Sequence, residues 1–571
     1  MTARCRLSTA LSVLLAATVL PVPAVSWGTT ARGAQDLIPC GHWIYDALEA
    51  IALEARVLNF SDSAPVTIQY VRDVLAEFDY DALSELARAQ YDRIEAYCTE
   101  TALAISSDLL YVGIEPTFNL EGYYKTNGDI AWTYDRYNRG ALIDAPIRIG
   151  VRDWVTMSAT MVLQQTQGAG EQDGTWCNIP FDMSTIDTNF PHSAYFSAGV
   201  KLTPRTGVQL LVNQGTQSIG RTLGGSIIIS DYLTGTTYAK LSAYSPAIRY
   251  SAQVAELNVD KYYYGHELNV RFFKRFSVTL EEGLLVYAPL ELRYLTPWTI
   301  YHGFAAWRDY GTFDNDRSDD DPESHTCDYL GVKLEYTPFR GGRFYGLFCM
   351  TQYQTPYEKK HYSDSPTPDG LGFQGGTEWY VPLGSGYLHL GLEGTYTQPF
   401  LYIKESPNWS MVRTYSEIMQ PQAVFYEWIG SPFGPDTVSA MLTAGYSRPG
   451  LFSLDTTYLF MARGELSGTH AFDSVAWGGQ QTAINEETAE RDWPYPTSDT
   501  LHKVSWTTPT GVPEYVNRLS VRGTWRATPW LRLCVQPACV VIFNRGHVRG
   551  ETARGFEIAL AAEFSPIKLM R

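Results

Sequence analysis

The chain has 571 residues, 45% of them hydrophobic and 13% aromatic, and a formal net charge of −17. That charge excludes the basic face a nucleic-acid partner requires. No run of 18 apolar residues follows the N-terminal segment, which excludes a spanning helix there.

Arg4 and Arg6 precede an apolar stretch, Thr9 to Leu20, and the small residues Ala24-Val25-Ser26 follow. This pattern predicts an export signal over residues 1–26 and a mature chain from about Trp27. The apolar stretch is shorter than the roughly 20 residues of a spanning helix. Of the eight cysteines, Cys5 falls in this segment. An odd number remains, so complete intramolecular pairing is excluded.

Residues 39–100 carry helical periodicity. Ile44, Ala47, Leu48 and Ile51 recur between Trp43 and Arg56, and Ile68, Val71 and Leu75 between Thr67 and Phe78. Leu83, Leu86, Ala87, Tyr91 and Ile94 do so between Asp81 and Tyr97, where Asp79 is placed to cap the helix. The expectation is a small helical domain, periplasmic if the export signal leads to an outer membrane, that caps the part of the chain that follows, contacts peptidoglycan or docks an export machine. Cys40 precedes the first helix and Cys98 ends the third; in an oxidising compartment a disulfide between them would staple a bundle with little core of its own. The alternative is two unpaired, buried thiols.

From residue 108 to 571 the period changes to two. Leu110, Val112, Ile114, Phe118 and Leu120 oppose Glu115, Asn119 and Glu121; Leu388, Leu390, Leu392 and Tyr396 oppose His389, Glu393 and Thr395. At the closing end Phe556, Ile558, Leu560, Ala562 and Phe564 oppose Glu557, Ala559, Ala561 and Glu563. Apolar-out, polar-in alternation behind an export signal predicts a mainly β fold, a large antiparallel transmembrane β-barrel in the outer membrane, surrounded by its lipid. The 47 glycines, 38 tyrosines and 15 tryptophans suit such a wall and its interfacial girdles. Short connections carry proline, as at Thr203-Pro204, Ser245-Pro246 and Thr528-Pro529, whereas Gln165–Phe190, Asn213–Thr237, Arg308–Cys327 and Gly464–Val512 are long. Short turns on one rim and long external loops on the other are the outer-membrane arrangement. At about 9–11 residues per spanning strand, about 470 residues suggest about 16–18 strands.

Three blocks resemble the capsule assembly protein family known as Wzi, outer-membrane barrels with lectin activity. They are Pro39-Cys40-Gly41-His42-Trp43-Ile44-Tyr45-Asp46-Ala47-Leu48-Glu49; His266-Glu267-Leu268-Asn269 with Phe276 to Glu282 and Leu295-Thr296-Pro297; and Pro399-Phe400-Leu401-Tyr402 with Gly430-Ser431-Pro432-Phe433-Gly434-Pro435-Asp436. In the second, Thr296 stands where the family pattern leads one to expect Asn. The resemblance implies eighteen strands, a lumen largely closed by loops and side chains, and an outer face that holds surface or capsule-type polysaccharide. A porin-like diffusion or uptake channel is the alternative.

No catalytic constellation or cofactor motif stands out, and no His/Cys spacing suggests a metal, so the expectation is a non-enzyme without cofactor. Asp314 to Glu323 is rich in oxygen ligands but reads as a solvated external loop. Glu281 and Glu282 are adjacent on a strand and face opposite ways, so they cannot flank one glycosidic bond. Glu281, Arg293, Glu393, Arg518 and Arg522 are candidates to line the lumen, as an interlocked plug or as the opposed charges of a constriction. Trp307, Tyr310, Trp477 and Trp493, and with them Tyr232 and Tyr238, are loop candidates for stacking on sugar rings, with girdle or loop packing as the ordinary alternative.

Overall fold

The computed structural model describes residues 26–28, 32–58, 62–99, 103–107, 109–130, 140–151, 153–165, 175–180, 185–297, 299–302, 326–353, 355–361, 369–404, 407–417, 420–468 and 507–566. Residues 1–25 of the expected export signal lie outside them.

Three helices come first: α1 (Trp43–Glu54), α2 (Ile68–Leu75) and α3 (Glu85–Thr99). Ile44, Leu48, Ile51, Val71, Leu75, Ala87 and Ile94 form one buried cluster, so the period of 3.6 read from the sequence marks the faces that pack. Thr67 caps α2 by accepting from the Tyr70 amide at 3.2 Å. The Asp79 cap expected for α3 is not made. Asp79 precedes a single 3₁₀ turn, Tyr80–Ala82, and makes no side-chain cap. Ser84 does that work, its Oγ accepting from Ala87 N at 3.1 Å, which moves the start of the helix to Glu85.

Eighteen strands then close an antiparallel barrel. β1 consists of two segments, Leu110–Ile114 and Thr117–Lys125. It is followed by β2 (Ile143–Val151), β3 (Val155–Gln165), β4 (Ile186–Thr203), β5 (Thr206–Gln214) and β6 (Thr237–Tyr244). Next come β7 (Ile248–Asn258), β8 (Lys261–Phe272), β9 (Phe276–Tyr287), β10 (Thr326–Phe339), β11 (Gly342–Gln352) and β12 (Gly370–Leu383). The last six are β13 (Gly386–Thr397), β14 (Thr437–Arg448), β15 (Phe452–Arg463), β16 (Glu514–Thr528), β17 (Leu531–Phe543) and β18 (Thr552–Phe564). β18 pairs with β1, Leu560 opposite Gly122, and seals the wall. β1 breaks at Glu115-Pro116 because proline brings no amide to the ladder.

The alternation seen in sequence is the alternation of the wall. Leu560 is 53% exposed on the outside, and Glu557 is 2% exposed on the inside. Leu120, Leu210, Leu241, Phe373, Leu392 and Leu454 likewise lie on the apolar exterior. Near the turn that joins β10 and β11, Phe339 stacks on Trp379 (6.0 Å) and Phe344 meets the same indole edge-on.

The helices are wedged into the short-turn mouth rather than standing apart from the wall. Leu58 N donates to Lys274 O (2.8 Å), Gly341 N to Leu53 O (2.7 Å), Gln35 Nε2 to Asp153 O (3.2 Å) and Arg205 to Ala76 O (3.2 Å). Four different short turns thus hold the helical segment and the strap before it. Neither Cys40 nor Cys98 is in a disulfide, so the expected bond between them is absent. Cys40 turns toward the segment after β5, its Sγ 3.7 Å from Thr216 O, while Cys98 stays buried in the helical core. Packing against the wall supplies the order that the disulfide was expected to supply.

Leu560→Arg puts a cation on the outer face of the closing strand. The expected cost is about 2–4 kcal/mol if the site lies at mid-bilayer, read by equilibrium urea unfolding in lipid vesicles. An unchanged midpoint would mean that this face does not meet hydrocarbon.

Candidate functional site

What occupies the lumen follows from what the strands point into it. The inward positions of β8–β13 are charged or phenolic, and each such group needs a partner once water is excluded. Two inter-strand segments and the helices provide the partners.

The first segment runs from Gly215 to Thr236, between β5 and β6. It was expected outside the barrel with the other long loops, but it folds into the lumen. Its run Ile227-Ile228-Ile229 is buried against Tyr263, Leu285, Tyr329, Leu347 and Cys349 of the wall. An apolar tripeptide between Gly224-Gly225 and Ser230 cannot stay in water at low cost, and the barrel interior is where it is buried. The second segment, Gln398 to Asp436 between β13 and β14, meets it there. Tyr402 donates to Ile227 O (2.5 Å) and accepts from Ser431 N (2.9 Å), joining the two segments. A Cβ on Gly430 would collide with Ile227 O and the Tyr402 hydroxyl, which accounts for glycine at that point of the Gly430–Asp436 block.

Beneath them lies an ionic lattice. Lys333, 1% exposed, contacts Asp62 and lies 3.0 Å from Glu335. Arg343, equally buried, reaches Glu335 (2.7 Å), Glu378 (3.0 Å) and Glu49 of α1 (3.4 Å). Arg221 of the first inner segment pairs with Asp46 (2.7 Å) and Glu49 (3.4 Å). Burial works against the Arg221 charge, but Asp46 and Glu49 overcome it and hold its pKa above the ordinary value. Burial raises the Glu49 carboxyl, and Arg343 and Arg221 work against that rise. Helix, inner segment and wall are therefore bound into one set of charges. Sequence reasoning missed Glu49, Asp62, Lys333, Glu335, Arg343 and Glu378. The available signal was Lys333 and Glu335 two apart, with Val332 and Leu334 between and beside them.

The predicted lumen residues do not share one situation. Glu281 is completely buried and accepts from the Tyr263 hydroxyl (2.7 Å). Glu393 accepts from the amides of Leu223 (2.9 Å) and Gly224 (3.0 Å), from Tyr345 (2.7 Å) and from Gln374 (2.9 Å), pinning the inner segment to the wall. Arg518 is buried 3.8 Å from Glu557, and Arg522 borders an internal cavity of about 550 Å³ together with Tyr45, Asp62, Arg221 and Tyr380. Arg293 does not line the lumen. It sits on a 3₁₀ turn, Leu292–Leu295, beyond the end of β9 and pairs locally with Glu291 (2.6 Å), half exposed. Of the aromatic candidates, Trp307, Tyr310, Trp477 and Trp493 lie outside the described residues. Tyr238 belongs to β6 and is buried, its hydroxyl accepting from Asn213 (2.9 Å), so it is not a loop residue. Tyr232 borders the internal cavity. Among the described residues no group of three or more metal-ligating side chains is assembled.

No family model and no curated protein matches the chain. Among solved structures it is similar to Wzi of Escherichia coli, described as an outer-membrane protein involved in group 1 capsule assembly and a carbohydrate-binding β-barrel. The TM-score is 0.56 at 10% identity, over 93% of this chain and 99% of that one. OprD of Pseudomonas aeruginosa aligns at a TM-score of 0.38 and 8% identity over 79% and 94%, and the channel DcaP of Acinetobacter baumannii at 0.34 and 9% over 81% and 98%. The likeness to Wzi is one of fold, that of an outer-membrane barrel.

Two outcomes follow from the lattice. Arg343→Met takes a buried cation from three carboxylates, leaving Glu335 to Lys333 and Glu49 to Arg221 and removing the ion pair of Glu378, and should cost about 3–5 kcal/mol, measured by urea unfolding; Lys201→Met, at a half-exposed pair with Asp73, should cost under about 1 kcal/mol. Asp436, which ends the second segment, is pushed up to about 6 by burial, against hydrogen bonds from Thr510 and Leu466. An acid with a raised folded pKa favours the folded state when protonated, so this contribution is complete below about pH 4 and is lost as pH rises to about 6. Protection factors at the Leu466 and Thr510 amides, taken relative to the intrinsic exchange rate at each pH, should fall across that window, and Asp436→Asn should flatten the dependence.

Proposed function

We propose that this protein is a non-conducting, non-enzymatic outer-membrane barrel that holds surface polysaccharide through its external loops. The observation that carries this reading is the lumen. Ile227, Ile228, Leu401, Tyr402 and Ile429 fill one level of it with apolar side chains. Arg343, Lys333, Glu49 and Glu378 cross-link the level below. The helices occupy the short-turn mouth, which in an outer membrane faces the periplasm. A solute would have to displace all three. That leaves the loop-bearing rim as the working surface, and the fold shared with a carbohydrate-binding barrel supports a glycan as what it meets. The aromatic side chains Trp307, Tyr310, Trp477 and Trp493 are the candidates for stacking on sugar C–H faces.

The channel reading keeps one observation in its favour. The internal cavity of about 550 Å³ and a second of about 240 Å³ share Asp46, Tyr380 and His389, so open space follows one side of the wall.

Planar-bilayer conductance separates the two readings. The full-length chain should insert without opening, and a chain lacking residues 27–100 should also stay closed, because the two inner segments remain. Stable channels of about nanosiemens size in the full-length protein would overturn the proposal. In parallel, replacing residues 303–325 and 469–506 by short Gly-Ser linkers should lower retention of capsule polysaccharide at least tenfold while heat-modifiable mobility on gels stays normal. Undiminished retention would remove the loops from the function.

A further inference from the structure

The cavity of about 240 Å³ opens between α1, α3 and the turn that joins β14 to β15, and its walls carry an unbalanced charge. Arg526 of β16 and Arg532 of β17 stand directly opposite each other in register. Like charges so placed repel, and guanidinium groups do not discharge to relieve it. Arg93 of α3 comes in from the helical side, its guanidinium 3.7 Å over the Trp43 ring and its stem against the turn at Gly450.

Each carboxylate at this place already faces a cation. Glu563 pairs with Arg532. Asp46 pairs with Arg221 at 2.7 Å, and Asp455 stands opposite Arg522 in the strand register. Among the described residues, neither Arg93 nor Arg526 has a side-chain hydrogen bond or ion pair. The local field is felt by neighbours. His42 is pushed down to about 3 by burial and then by Arg32, Arg93 and Arg532, and Arg93 down to about 10 by burial and Arg526. In a chain of net charge −17, a lining of four arginines, Arg93, Arg448, Arg526 and Arg532, against two aspartates, Asp46 and Asp455, is a local arrangement that calls for an anion.

The lining also carries aromatic side chains, Trp43, Tyr380 and Tyr387, among smaller polar and apolar groups. Ring faces suit the C–H surface of a sugar, and a fork of guanidinium donors suits a carboxylate or phosphate. The volume lies below the range for drug-sized ligands, so it has room for one sugar-sized unit. We propose that this cavity, at the short-turn end of the barrel, binds a single anionic saccharide unit, a hexuronate or a sugar phosphate, with Arg93, Arg526 and Arg532 on the anion and the aromatic side chains on the ring. The site lies at the opposite end from the external loops and goes beyond the reading given above.

The test uses the full chain refolded in detergent and isothermal titration with galacturonate, glucose 1-phosphate, inorganic phosphate and glucose at matched ionic strength. Both charged sugars should bind saturably and glucose should not. Arg93→Gln and Arg526→Gln should each weaken the charged sugars at least tenfold. Inorganic phosphate binding as tightly as the sugars would reveal an adventitious ion only and overturn the proposal, as would wild-type affinity in both variants. The melting temperature guards against misfolding. Without anion, Arg526→Gln should melt no lower than wild type, since it removes a repulsion, and it should lose the rise that the charged sugar gives wild type. A sharply lower melting point in the anion-free variant would show a structural role and also overturn the proposal. The linker variant of residues 303–325 and 469–506 should bind the charged sugars unchanged; loss of binding there would place the ligand at the outer rim and sink this site without touching the loop proposal.

Discussion

The structure depends on the pairing of charges across a closed interior. A barrel of eighteen strands encloses more space than its own side chains fill, and its inward positions here include Lys333, Glu335, Arg343 and Glu378, all nearly inaccessible. Left in a dry lumen, each would cost several kcal/mol. They are tolerated because Glu49, Asp62 and Arg221 arrive from the helices, the strap between them and the first inner segment. The wall needs the plug to satisfy its charges, and the plug, with only a small core, needs the wall to hold it. Each is a condition for the other.

The same dependence explains the hydrogen bonds at the mouth. The helical segment is tied to turn backbones around much of the rim, not to one neighbouring strand. Such a base fixes α1, and α1 in turn presents Asp46 and Glu49 to Arg221 and Arg343. Glu393, by capping the amides of Leu223 and Gly224, places Arg221 from the other side. Position therefore passes from rim to helix to lattice to inner segment, through contacts each shorter than a side chain.

Much of this was legible in the sequence, and the limits have physical causes. Period two marked the wall because one face meets an apolar phase for the whole strand, and Leu390, Leu392, Phe556 and Leu560 are exposed as that pattern requires. Helical faces were legible for the same reason. The fate of Asn213–Thr237 was not, because length alone does not say which side of a rim a connection folds toward. The run Ile227-Ile228-Ile229 held that information, but only once a closed interior was available to receive it. Arg293 was misplaced because a charge two turns of chain beyond a strand obeys its own local geometry, here a 3₁₀ turn and a partner two residues away. The disulfide was argued from the compartment alone, which does not encode the direction that Cys40 takes ahead of the first helix, toward Thr216.

The seam between β18 and β1 carries a consequence for how the molecule comes into being. Phe556 N donates to Thr126 Oγ1 across 430 residues of chain, so the last ring of hydrogen bonds joins the two ends of the wall. Contacts of such long range form late and slowly, after the loop-closure entropy has been overcome. The helices precede every strand, and the inner segments lie between strands that are already neighbours. Everything inside must be threaded, docked and charge-matched while the wall is still an open sheet with two bare edges, which are prone to pairing with other chains. The interior acts as a mould around which the sheet curls. A substitution in the lattice would then show itself first as a slower or derailed assembly, with the wall closing around an ill-seated filling, before any loss of stability in the finished barrel.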